Sequence, residues 1–132
     1  MAGVLVDTSV WIEFFNRPGS PKAERLAELI RDDAVILSGL VRCEILMGFR
    51  SDLEFRRVRD LLAGFDTIDD GNEEVRDLAV HIFRTCRKKG LTVRSLVDCL
   101  IAAAALSRKL AVLHHDRDFD AVARVFPLRL LR

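Results

Sequence analysis

Apolar residues along this chain fall into short unbroken runs separated by longer stretches of helical period. Val4-Leu5-Val6, Ala34-Val35-Ile36-Leu37 and Leu110-Ala111-Val112-Leu113 are apolar at every position. That is the pattern of strands buried on both faces. Phe65 to Ile68 predicts a weaker strand and Leu128 to Leu131 a last one. A brief helix is expected from about Ser9, ended by Pro18-Gly19, and Ser20-Pro21 opens a second with Leu26, Leu29 and Ile30 on one face. Further helices are expected over Gly39 to Phe49 and Asp52 to Leu62. Asn72 caps a long helix to Lys89, with cations in its last turn and Gly90 after it. Another runs from Ser95 to about Arg108, and a short one starts at Asp116 or Asp118. Apolar strands alternating with helices predict a three-layer α/β/α sandwich around a mostly parallel sheet. In such folds the ligand site lies at the carboxyl ends of the strands.

At 132 residues the chain is expected to form one domain, residues 1–132. No apolar run reaches the ~20 residues of a membrane span, and the longest, Leu96 to Leu106, carries Asp98 inside it. The first apolar stretch is too short for a secretory signal. Cys43, Cys86 and Cys99 lack CxxC spacing and lie in apolar helical contexts, so buried reduced thiols in a cytoplasmic protein are expected. The formal net charge is +1, less basic than proteins that live by phosphate attraction. Contact with nucleic acid would have to come from local patches, a partner subunit or bound metal.

What changes the picture is where acids interrupt the apolar pattern. Asp7 directly follows the first strand; taken alone, it is better explained as a helix cap, with Thr8 and Ser9 as rivals. Glu44, in VRCEILMGF, shares a helix face with Leu40, Met47 and Gly48 and has no cation at i±3 or i±4. It is either a buried carboxylate with a purpose or a distant partner, or a partly exposed one near a helix start. Asp98, in LVDCLIAAAAL, sits in a capping-box position after Ser95, yet among apolar neighbours that capping does not require. Asp116, Asp118 and Asp120 follow the strand in VLHHDRDFDAVA, more acids than a cap needs.

Jointly these acids demand more than capping. Asp7 and Asp116 both follow strands, which puts them at one edge of a parallel sheet. Two carboxylates near 4 Å repel by ~4 kcal/mol at an effective dielectric of 20. Against a domain stability of ~5–15 kcal/mol, such a cluster needs a cation or bound protons. Oxygen ligands alone select a hard ion, magnesium or manganese. Zinc fits poorly, because His114 and His115 are adjacent and His81 stands alone mid-helix.

VLVDTSVWIEFF, VRCEILMGF, LVDCLIAAAAL and VLHHDRDFDAVA, in this order, resemble the motifs of the PIN-domain ribonucleases, most closely the VapC toxins of bacterial toxin–antitoxin pairs. The resemblance spans nearly the whole chain. It implies a PIN-like sandwich whose acidic pocket binds Mg²⁺ or Mn²⁺ and cuts single-stranded regions of RNA. By motif position the catalytic acids are Asp7, Glu44, Asp98 and Asp116. Asp7 and Asp98 come first as metal ligands, with Asp116 beside them. Asp118 matches a second acid often present in the last motif, and Thr8 or Ser9 would help hold a water or phosphate. The family often has Thr two residues before the fourth acid; here His114 stands instead, able to contact phosphate or to titrate near neutral pH. The implied chemistry is metal-assisted phosphodiester hydrolysis, with Glu44 or Asp116 as proton acceptor. A VapB-like antitoxin, a toxin homodimer and a toxin–antitoxin hetero-oligomer are the implied partners, and Trp11, Phe14, Phe15, Leu46 and Phe49 supply apolar surface for a groove or for core.

Two other readings remain. A non-catalytic PIN-like module would bind RNA or protein, though such members usually lose acids that this chain keeps. A magnesium-dependent phosphotransfer enzyme wants a second acid two residues after Asp7, where this chain has Ser9.

Overall fold

The computed structural model describes residues 3–131. β1 (Val4–Val6) leads through α1 (Thr8–Asn16) and α2 (Pro21–Arg31) to β2 (Val35–Ser38). α3 (Gly39–Met47) and α4 (Asp52–Leu62) precede β3 (Asp66–Ile68). α5 (Glu73–Lys88) and α6 (Leu96–Arg108) lead to β4 (Ala111–Leu113), and α7 (Arg117–Ala123) to β5 (Leu130–Leu131). The five strands form one sheet in the order β3-β2-β1-β4-β5, and each pairing is parallel. α1 packs on α2 and α3, and α3 on α4, while α5, α6 and α7 pack on one another, giving the expected sandwich.

The unbroken apolar runs are the strands this packing buries. Every residue of β1 and β4 is buried, and Leu5, Val112 and Leu113 are fully enclosed. The four alanines Ala102 to Ala105 are likewise buried, so α6 lies close against its neighbours. Trp11 is fully buried at the head of an aromatic cluster: Phe15 stacks on it, and Phe14 and Phe65 meet it edge-on. These rings are mainly core, as their size favours.

The strand order reverses at β1. The chain runs outward from β1 to β2 and β3, then returns across the sheet to β4 on the other side of β1. The crevice at the carboxyl ends of β1 and β4 is where ligands bind in open parallel sheets.

Helix ends follow local chemistry closely. Ser20, Ser38, Ser51, Asn72 and Ser95 each accept a backbone N–H from their own first turn. α2, α5 and α6 each end with a residue at positive φ: Asp33, Gly90 and Lys109. The amide one residue on reaches back to Leu29, Cys86 and Ala105 respectively. Only Gly90 announces this ending in its residue type.

Three differences from the sequence reading have plain causes. Cys43 is exposed rather than buried, because it faces outward on α3; all three cysteines are free. α3 stops at Met47 instead of Phe49, where Gly48 forms its cap. β5 contains only Leu130 and Leu131, because it pairs with no more than Val112 and Leu113.

Asp70 is a buried acid that periodicity did not single out. It is 1% exposed, hydrogen-bonds the Ser38 hydroxyl and accepts the Leu40 amide at 3.2 Å. One carboxylate thus ties the loop after β3 to the start of α3. Asp70→Ala is expected to lower unfolding free energy by about 1–3 kcal/mol, since it strands the buried Ser38 hydroxyl and the Leu40 N–H. Urea unfolding checks this, and an unchanged midpoint would remove Asp70 as the anchor.

Candidate metal centre

Asp7 follows β1 and caps α1: its Oδ2 accepts the Ser9 hydroxyl at 2.7 Å and the Ser9 amide at 3.4 Å. Asp116 caps α7 in the same way, its Oδ1 accepting the Asp118 amide at 2.9 Å. The capping interpretation is therefore correct for both. It accounts for one oxygen of each carboxylate, and both residues stand at the reversal of strand order.

Asp98 is different. In a capping box its carboxylate would accept the Ser95 amide while the Ser95 hydroxyl accepts the Asp98 amide. Only the second half forms, at 3.2 Å. The Ser95 amide donates instead to Asp118 Oδ2 at 3.3 Å, and the Arg94 amide donates to the same oxygen at 3.0 Å. Asp118 of α7 has taken over the cap, which frees Asp98. Its Oδ2 is buried without a hydrogen-bond partner.

Asp98 belongs to a carboxylate cluster: one oxygen each from Asp98, Asp116 and Asp118 lie within 4.8 Å of one another. Asp7, expected as a ligand, stands outside this group and acts on Asp98 through its charge. Burial, then the charges of Asp7 and Asp116, a hydrogen bond that the protonated form can share with the Asp116 side chain, and the charge of Asp118 push the Asp98 carboxyl up to about 8. Each fully ionised pair at this separation costs about 3.5 kcal/mol at an effective dielectric of 20. Asp118 is the best compensated member, with two amides on Oδ2 and the Arg94 guanidinium 3.8 Å from Oδ1. An all-carboxylate donor set with a buried lone pair unused fits a small hard cation.

Glu44 lies on α3, exposed to solvent and outside the carboxylate group of Asp98, Asp116 and Asp118. It is not a buried carboxylate: Thr8, on the residue next to Asp7, donates its hydroxyl to Glu44 Oε1 at 2.6 Å. Thr8 and Ser9 thus hold one acid each, Glu44 and Asp7.

His114 does not point a free imidazole at the cluster. Its Nδ1 accepts the Asp116 amide at 3.1 Å, so the ring proton resides on Nε2, 3.8 Å from Asp120. Burial lowers the His114 pKa below its ordinary 6.5, which leaves the ring neutral at neutral pH. It fixes the backbone that presents Asp116. His115 turns the other way, with Nε2 3.0 Å from Glu13, whose second oxygen holds the Ser20 hydroxyl at 2.5 Å. His81 packs edge-on against Phe126, remote in role from the acids.

The chain matches the PIN domain over residues 4–125. It is 34% identical over 128 residues to ribonuclease VapC11 of Mycobacterium tuberculosis, covering 96% of each chain. Its fold is that of VapBC2 from Rickettsia felis bound to a promoter DNA fragment, with a TM-score of 0.77, 17% identity, and coverage of 97% of this chain and 96% of that one. A toxin–antitoxin complex from Klebsiella pneumoniae gives a TM-score of 0.72 at 21% identity, covering 96% and 99%. With an acid at the end of β1, another at the end of β4 and a third freed on α6 between them, this chain belongs to the PIN-domain family and, within it, to the VapC ribonucleases.

Proposed function

We propose that this protein is a metal-dependent endoribonuclease toxin that hydrolyses phosphodiester bonds in single-stranded regions of RNA and is held inactive by a cognate antitoxin. The observation that carries the reading is the partnerless Oδ2 of Asp98, a member of the carboxylate cluster at the sheet's reversal point.

Asp98, Asp116 and Asp118, whose oxygens converge, would hold the cation, Mg²⁺ or Mn²⁺, with Asp7 beside them as the ligand its motif position implies. The bound cation would supply activation of a water and offset charge on the attacked phosphate. Of the two acids proposed as proton acceptor, Glu44 is favoured. It is solvent-facing, and the Thr8 hydroxyl engages only one of its oxygens. Thr8→Val is expected to lower kcat about tenfold with little change in KM, because Glu44 then loses its fixed position. Single-turnover rates check this, and an unchanged kcat would remove Thr8 from that role.

The antitoxin is proposed to lie beside Glu44. There, a groove of about 240 Å³ is lined by Ile12, Phe15, Ile45 and Phe49 with Arg50 and Glu54 at its mouth. Met47 stands 84% exposed on the same helix as Glu44 and Ile45. Exposed Val80, Phe83 and Leu96 on α5 and α6 supply separate apolar surface for a homodimer. A cytoplasmic location is proposed on the three free thiols. No helix among the described residues is long and apolar enough to cross a membrane.

The test is incubation of the partner-free protein with a mixed cellular RNA pool in Mg²⁺, Mn²⁺ or EDTA, followed by sequencing of new ends. Discrete ends that require metal are expected. RNA unchanged under every metal would bring the non-catalytic RNA- or protein-binding module to the front. Phosphate release from small esters would instead favour phosphotransfer.

A further inference from the structure

On the β5 side of Asp116, the carboxyl edge of the sheet opens into a second cavity of about 330 Å³. Asp116 lines this cavity and also belongs to the acid cluster, so the two sites share one residue. Lys22 of α2, Arg117 and Asp120 of α7, His114 and His115 of the preceding loop, and Leu130 and Leu131 of β5 line it with Asp116.

Both cations sit against local electrostatics. Lys22 is the second residue of α2 and Arg117 the first of α7. A cation in a first helical turn opposes the peptide dipoles by a few tenths of a kcal/mol or more. Neither residue recovers this in a salt bridge among the described residues. Lys22 lies close enough to His114 to help hold it neutral. Two unpaired cations in unfavourable helical positions, converging on one cavity, are the local rule-breaking that marks a binding site. In a chain of net charge +1, Lys22 and Arg117 bring two cations to this side of the acids, while Arg94 reaches Asp118 separately.

The rest of the lining suits a nucleotide more than a bare anion. Leu130 and Leu131 are half-buried and offer an apolar surface to a base. Asp120 is half-exposed, and its carboxylate only accepts hydrogen bonds. A free inorganic anion would meet Asp116 and Asp120 as repulsion. A nucleotide can turn its phosphate to the cations and its base to Asp120.

We propose that this cavity holds the RNA nucleotide adjoining the scissile phosphate, with Lys22 and Arg117 on its own phosphate, its base against Leu130 and Leu131, and Asp120 reading the base edge. Guanine is the preferred base, because its N1–H and N2–H₂ donate side by side to one carboxylate. The inference rests on the acids being a ribonuclease centre and adds the neighbouring subsite and its base preference.

Binding is measured first in EDTA, where no cleavage interferes, by fluorescence anisotropy of a labelled single-stranded RNA 12-mer of mixed sequence. Lys22→Gln with Arg117→Gln is expected to raise Kd about tenfold and to flatten the salt dependence by about 1.4 in log–log slope, the loss of two single-strand phosphate contacts. Lys22→Arg with Arg117→Lys should restore both, and equal thermal midpoints show that all the variants fold. Unchanged affinity and slope would overturn the phosphate contacts, even if the wild type cleaves RNA normally. Asp120→Asn is then compared with wild type by sequencing cleavage ends. Loss of guanine preference at the base flanking the cut supports the reading, and an unaltered preference overturns it. A wild type that binds RNA with these contacts but never cuts would refute the nuclease reading while leaving the nucleotide site standing.

Discussion

Asp98→Asn is expected to lower the rate of RNA cleavage by on the order of 10³-fold, about 4 kcal/mol of transition-state stabilisation, while the protein stays folded. The size follows from the position of the carboxylate. Asp98 is 7% exposed, its Oδ2 accepts no hydrogen bond, and burial together with the charges of Asp7, Asp116 and Asp118 opposes its ionisation, which a bound cation would reverse. Asparagine keeps the shape and the Ser95 contact but removes the charge. Asp118→Asn should behave otherwise. Its Oδ2 serves the Arg94 and Ser95 amides, which an amide oxygen can still satisfy, so a smaller loss of activity is expected. Single-turnover cleavage in Mn²⁺ with wild type, Asp98→Asn and Asp118→Asn separates the two roles. Equal losses would mean that the cluster acts as a unit without a leading ligand.

The same substitution is expected to stabilise the metal-free protein at alkaline pH, by on the order of a few kcal/mol. The folded Asp98 carboxyl is raised to about 8, against about 3.9 in an unfolded chain. Between those values the folded state holds a proton that the unfolded state has released. This contribution to stability is therefore complete below the unfolded value and is lost as pH rises through about 8. His114 acts in the opposite sense. Its pKa is lowered on folding, so its contribution grows with pH and is complete above the ordinary 6.5. Above neutrality the buried Cys86 and Cys99 thiols, both pushed up by burial, also lose stabilisation as pH rises, in wild type and variant alike, so the difference between the two proteins reports Asp98. In EDTA, wild type should lose about 1 kcal/mol more than Asp98→Asn between pH 7 and 8.5. Mn²⁺ at a hundred times its Kd should restore about 2.7 kcal/mol to the wild type and much less to the variant. Denaturant melts at two pH values check both. A wild type whose stability is flat across this window would mean that Asp98 is already ionised and compensated.

Much of this was legible before any coordinates. Strands apolar on both faces had to lie inside a parallel sheet, and acids in the segments following two of them had to share its carboxyl edge. Local caps were legible too, because Ser, Asn and Asp act on amides two or three residues away. Glu44 shows the limit. Its helical face predicts neighbours within α3, but its partner is Thr8, 36 positions away. Cys43 shows the same limit, since an apolar sequence context does not say which face of α3 meets solvent.

The residues by themselves determined the element order, the parallel sheet and the list of acids, because each depends on periodicity, caps and residue chemistry within a few positions. Tertiary structure alone decided what those acids do to one another. It sends the Ser95 amide to Asp118 and so leaves Asp98 without a partner. It turns His114 into a backbone acceptor for Asp116, and it brings Lys22 to the far side of that acid. The reason is physical. Hydrogen bonding and charge act over a few ångströms, so pairs such as Ser95 and Asp118 or Lys22 and Arg117 become neighbours only after the sheet has brought their elements together.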